Sequence, residues 1–92
     1  MSNMIVSWDL NGSSPSHAEM DKYIGNITAD AKRVLETVWW VKYHGTAEQL
    51  RDRILSLVSN NDRLLVIEAK DGAWYNVLVA NNDLANSWNK VF

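Results

Sequence analysis

Val38-Trp39-Trp40-Val41 and Leu64-Leu65-Val66-Ile67 each place four large apolar side chains at consecutive positions. Successive side chains of a strand point to opposite faces, so two such strands in one sheet would be apolar on both sides. Around the first segment, Lys32 to Tyr43 is rich in β-branched and aromatic residues, which predicts strand. The stretch is either one long strand or two short ones joined by a bend near Glu36, and no Gly or Asn hairpin signal decides between them. Around the second, Arg63 to Lys70 predicts a further strand. Asp71-Gly72 then supplies a two-residue hairpin signal, and Ala73 to Val79 is expected to return as the antiparallel partner.

Upstream, Met4 to Leu10 alternates, with Met4, Val6, Trp8 and Leu10 on one face and Ile5, Ser7 and Asp9 on the other. Asn11-Gly12-Ser13-Ser14-Pro15 is a run of turn formers. Ser16 with Glu19, and later Thr46 with Gln49, have the spacing of reciprocal helix caps. The first precedes Met20, Tyr23, Ile24 and Ile27, an amphipathic helix of about twelve residues in which Gly25 costs roughly 1 kcal/mol of propensity. The second follows His44-Gly45 and precedes Leu50, Ile54, Leu57 and Val58, a helix expected to stop at Ser59-Asn60-Asn61-Asp62. Asn81-Asn82-Asp83 is expected to cap a short last helix bearing Leu84, Ala85, Trp88 and Val91.

The resulting order, β-α-β(β)-α-β-β-α, suits an α+β, ferredoxin-like βαββαβ sandwich with an extra C-terminal strand and short helix, a single domain over residues 1–92. In that arrangement two helices cover one sheet face and leave the other open. A Trp buries about 150–250 Å², so its exposure would forgo on the order of 4–6 kcal/mol as an upper bound. Something should therefore cover the second face. A second copy meeting sheet to sheet, with Trp39, Trp40 and Val41 at the interface, is the more economical cover. The chain's own C-terminal segment is the alternative.

Composition narrows the function classes. Nine Lys and Arg against eleven Asp and Glu give a formal charge of −2, 47% of residues are apolar, and cysteine is absent. That excludes a disordered tail, a disulfide framework, a thiolate metal site and a thiol nucleophile. The apolar runs are too short to span a bilayer and the opening residues lack the pattern of a signal peptide, so a soluble, cytoplasmic protein is expected. Bases concentrate in the middle third, where Lys32, Arg33, Lys42, Arg51 and Arg53 are candidates for a modest phosphate-binding patch. The first 21 residues hold no Lys or Arg.

A short first strand ending in Asp, Ile5-Val6-Ser7-Trp8-Asp9-Leu10, followed by a helix and the strand Glu36-Thr37-Val38-Trp39-Trp40-Val41-Lys42, resembles the small ferredoxin-fold proteins of the CRISPR-associated protein two superfamily. Virulence-associated protein D and SinR-like proteins are grouped with them. Thr46 to Arg53, and Asn61 to Glu68, are similar to the second helix and fourth strand of the SinR-like branch. The resemblance covers roughly residues 4–78. It implies a homodimer formed through the sheets and a carboxylate at the end of the first strand. In members reported as nucleases, that carboxylate and its symmetry mate hold a divalent metal.

Carried over by position, Asp9 is the candidate catalytic residue and ligand for Mg²⁺ or Mn²⁺, in a phosphodiester hydrolysis in which the cation would lower the pKa of its bound water. The other reading of Asp9 is a turn residue that accepts backbone N–H bonds from the loop after it. His44 is a weaker candidate as general acid or base beside Asp9, and His17 is expected to face solvent. Trp8, Trp39, Trp40 and Trp74 could stack nucleobases, but the negative total charge argues against it and core or interface packing is the expected role. Two classes of function remain open. One is a metal-dependent endonuclease acting on RNA or DNA. The other is a non-catalytic homodimeric protein-binding or regulatory module of a mobile-element or defence system.

Overall fold

The computed structural model describes residues 2–12 and 14–89. Ser13 of the expected turn and Val91 of the expected last helix lie outside the described residues. Strand β1 (Ser2–Asp9) leads into helix α1 (His17–Gly25), β2 (Ala31–Leu35), β3 (Val38–Tyr43), α2 (Ala47–Leu55), β4 (Arg63–Ala69) and α3 (Asn81–Trp88). The four strands form one antiparallel sheet in the order β2-β3-β1-β4. This is a small α+β fold with three helices, compatible with a ferredoxin-like class. No helix among the described residues is long and apolar enough to cross a membrane.

Two strands, not one, arise between residues 31 and 43. The chain turns at Glu36-Thr37 without glycine, and the β2–β3 pairing has a register irregularity between Arg33 and Leu35. Both helices start where the capping boxes place them. Ser16 Oγ accepts from the Glu19 amide and Thr46 Oγ1 from the Gln49 amide, while each N3 side chain accepts from its cap amide in return. Each helix is shorter than its apolar spacing suggested. Ile27, Leu57 and Val58 pack on the core from the turns that follow. Gly25 therefore stands at the end of α1, where a Cβ would lie 3.3 Å from the Trp39 ring.

Gly45 has a conformational reason as well as a steric one. Its φ is +155°, and a Cβ would fall 2.6 Å from Gln49 Oε1 and 2.8 Å from the Tyr43 ring. A side chain here would push directly on the second cap. Thr46→Ala is expected to cost about 1 kcal/mol through loss of that cap, and Gly45→Ala should cost at least as much. Urea denaturation of the two variants checks both values.

The side chains of the sheet sort into two cores. Met4, Val6 and Trp8 of β1, with Trp39 and Val41 of β3, meet Met20 and Ile24 of α1 and Leu50 and Ile54 of α2. On the opposite face, Val34 and Trp40 are buried against Leu84 of α3, with Ile5, Val38, Trp74, Val77, Val79 and Trp88 packed around them. Two expectations are corrected here. Residues 71–80 form no strand. They run across the second face, joined to β2 by the Leu78 amide donating to the Val34 carbonyl at 2.9 Å. Trp39, Trp40 and Val41 are also interior to the chain, at 8%, 0% and 0% exposure, so they have no free surface for a second copy. The physical reason is common to both. A hairpin continuing from β4 would leave Trp40, Val34 and Val38 bare, whereas the same apolar segment folded back over them buries both partners.

Helix α3 starts without a side-chain cap, contrary to the expectation for Asn81-Asn82-Asp83. Its cap residue is Ala80, and Asn81 Oδ1 instead accepts from Trp74 Nε1 at 2.7 Å. The helix end is held by a polar network on the sheet. Asn3 Oδ1 accepts from Trp40 Nε1 at 2.9 Å and Lys42 Nζ at 3.1 Å, and the Trp88 carbonyl accepts from Lys42 Nζ at 2.9 Å and Asn3 Nδ2 at 3.3 Å. The lysine thus meets the negative end of the helix.

Candidate functional site

Asp9 is exposed at the end of β1, on the same face as Ile5 and Ser7, and its ladder partner is Arg63 of β4. The two line a shallow crevice of about 210 Å³ with Ser7, Trp8, Leu64 and Leu65. His44 is not beside it. It follows Tyr43, which pairs with Ser2 at the far end of β1, so about 23 Å of strand separates it from Asp9. An acid–base pair of Asp9 and His44 within one chain is therefore corrected. His17 is exposed on α1.

The carboxylate that ties the loop after β1 is Asp62, not Asp9. Asp62 Oδ1 accepts from the Asn11 amide at 2.8 Å and the Gly12 amide at 3.3 Å, and Oδ2 accepts from the Ser59 amide at 2.8 Å. Hydrogen bonds from the Ser59 amide first, and then from Asn11, hold the Asp62 carboxyl below the usual carboxylate range. Its folded pKa lies below its unfolded value. Its contribution is therefore fully present above the ordinary pKa of about 3.9 and is lost as the pH falls through the lower folded value. Stability should decline on acidification below about pH 4, and Asp62→Asn should flatten that slope. Thermal melts across pH 2–6, taken as an approximate acid window, measure both.

The five candidate bases do not assemble into a patch. Lys42 is buried on the second face within the Asn3 network. Arg33 pairs with Asp21 of α1 at 3.2 Å, and Arg51 pairs with its neighbour Asp52 at 2.8 Å. Lys32 stands opposite Trp40 and Arg33 opposite Trp39, hence on different faces of the sheet. Arg53 is exposed on α2, where its carbonyl accepts from the Tyr23 hydroxyl. Of the tryptophans proposed for base stacking, Trp8, Trp39 and Trp40 are core residues, while Trp74 is half-buried against α3.

The resemblance implies Mg²⁺ or Mn²⁺ at Asp9. Among the described residues, no three His, Cys, Asp or Glu side chains come together in a way that could hold a metal ion. Hard divalent cations take six or more oxygen ligands. A lone carboxylate whose strand neighbour is an arginine does not fit them within one chain. Neither family models nor curated proteins yield a match to this sequence.

What the structure leaves exposed is a different feature. Among the described residues strand β4 pairs only with β1, so its outer edge carries backbone groups that none of them pairs. Beside that edge the crossing segment stops short of β4, and Leu65 and Ile67 are 56% and 47% exposed. No Pro, and no Lys within Arg63–Ala69, protects this edge. The apolar character of both faces of β4 is legible in the sequence, but the free edge is not, because Ala73 to Val79 is compatible with a strand that would cover it.

Proposed function

We propose that the protein is a non-catalytic interaction module of ferredoxin-like topology that works as a homodimer joined through β4. The observation that carries this reading is the free, apolar-flanked β4 edge. A second copy fits it through a two-fold, antiparallel pairing centred on Val66, which sets Leu65 opposite the partner's Ile67 and Leu64 opposite the partner's Glu68. The same register places Asp62 opposite the partner's Lys70, a favourable charge pair at each end. Leu65 and Ile67 from both copies then form one apolar strip on the open half of the second face.

This pairing and the metal-dependent nuclease implied by the resemblance exclude each other. Asp9 lies at the level of Arg63, so in the edge dimer the two Asp9 carboxylates are about 25 Å apart and share no ion. Light scattering on the purified chain should give the mass of two protomers. The double substitution Leu65→Lys, Ile67→Lys, on half-exposed positions, should give one protomer with unchanged circular dichroism, since edge lysines block strand pairing. A monomeric wild type, or a double variant that still dimerises, rejects the interface. RNA or DNA cutting in Mg²⁺ or Mn²⁺ that vanishes in Asp9→Asn would instead establish the nuclease.

A further inference from the structure

A crevice of about 320 Å³ separates the β2–β3 half of the second face from the segment that crosses it. Trp74 and Trp88 line it with Tyr75 and Leu35, and the buried Trp40 and Leu84 close its floor from beneath. Each indole is fixed by its own contact. Trp40 Nε1 donates to Asn3 and Trp74 Nε1 to Asn81. Trp88 lies with its ring centre 5.8 Å from that of Trp74, and so close to Gly72 that a Cβ there would sit 2.9 Å from the ring. These contacts hold the rings in place before anything binds, which reduces the ordering cost of association.

The chemistry of the lining selects the ligand. Among the described residues no charged side chain borders the crevice, so an ionic ligand would lose hydration without gaining a counter-charge from them. Two of the three indole N–H groups are already used, and the walls offer mainly aromatic faces and aliphatic carbon. Such faces favour offset or edge-to-face contact with another ring. The volume is at the lower end of the range for small-molecule sites. At the mouth, Tyr75 is 93% exposed and Leu35 is 49% exposed. We infer that this crevice is a binding site for a neutral, flat aromatic molecule of one or two fused rings. The site sits on the β2–β3 side of the sheet, away from β4, and does not depend on the dimer.

The five tryptophans make the test residue-specific. Trp74 and Trp88 line the crevice and Trp40 lies buried beneath it, whereas Trp8 and Trp39 belong to the core under α1 and α2. Titration of the ¹⁵N-labelled chain with indole should shift the Trp74 and Trp88 indole N–H signals saturably and leave those of Trp8 and Trp39 in place. Tryptamine and indole-3-acetate, the cationic and anionic counterparts, should bind at least about tenfold more weakly because their charge must be desolvated. Gly72→Ala, which crowds Trp88, and Leu35→Glu, which sets a charge at the half-exposed mouth, should each weaken indole binding about tenfold. Unmoved Trp8 and Trp39 signals report that a variant is folded, and Leu35→Glu provides the test if Gly72→Ala does not fold. The inference is overturned by no shift up to the solubility limit of indole, by equal movement of all five signals, or by equal binding of the charged analogues.

Discussion

Trp40→Ala should destabilise the protein by about 3–5 kcal/mol, the range for emptying a buried aromatic site. Trp40 is wholly buried on the second face, and its Nε1 bond to Asn3 is lost with the ring. Leu65→Ala, on the same face of the neighbouring part of the sheet, should cost less than about 1 kcal/mol in the monomer because Leu65 is half exposed. Urea midpoints of the two variants, measured at a concentration low enough to populate the monomer, give the contrast directly. Similar losses at both positions would mean that residues 71–88 do not shelter Trp40 more than Leu65.

Lys42→Ala should cost about 2–3 kcal/mol, more than a surface lysine does. Its ammonium holds the Trp88 carbonyl and Asn3 Oδ1, and its stem is buried with it. Removing it leaves a carbonyl at the end of α3 short of its charged donor, and hydrogen bonds to charged groups contribute about 1.5–3 kcal/mol. Lys42→Met, which keeps the apolar stem, separates packing from hydrogen bonding. A stability equal to wild type in Lys42→Met would show that the ammonium does not anchor α3. Hydrogen exchange of the α3 amides supplies the second measurement. Exchange should rise in α3 well before it rises in α1 or α2, because only the former is tied to the sheet through this network.

The corrected expectations share one physical cause. Residues 73–79 contain apolar and aromatic side chains at positions compatible with a strand, and Asp71-Gly72 is compatible with a tight hairpin. Local chemistry therefore favoured β pairing with β4. The alternative, crossing the second face, is decided by how much apolar surface that face presents, a quantity set by Val34, Val38 and Trp40 from elsewhere in the chain. His44 fails as a partner for Asp9 for a similar reason. Neither position carries information on the antiparallel register that puts Tyr43 at the level of Ser2. The phosphate patch fails because Lys42 alternates onto the covered face and Arg33 and Arg51 meet carboxylates. The Lys42 placement had a legible signal, since it shares the period-two phase of Val38 and Trp40. The identity of its partners, Asn3 and the end of α3, did not.

The amino-acid order by itself determined β1 and β4, the two capped helix starts and the alternation that sends Met4, Val6 and Trp8 inward, because hydrogen bonding within a few residues and side-chain period are local properties. Tertiary structure alone decided which segment covers Trp40, that no described residue pairs with the outer edge of β4, and that Trp74 and Trp88 meet in a crevice above Trp40. Those outcomes depend on competition among distant apolar surfaces for the same partner, and that competition is settled only when the whole chain is packed.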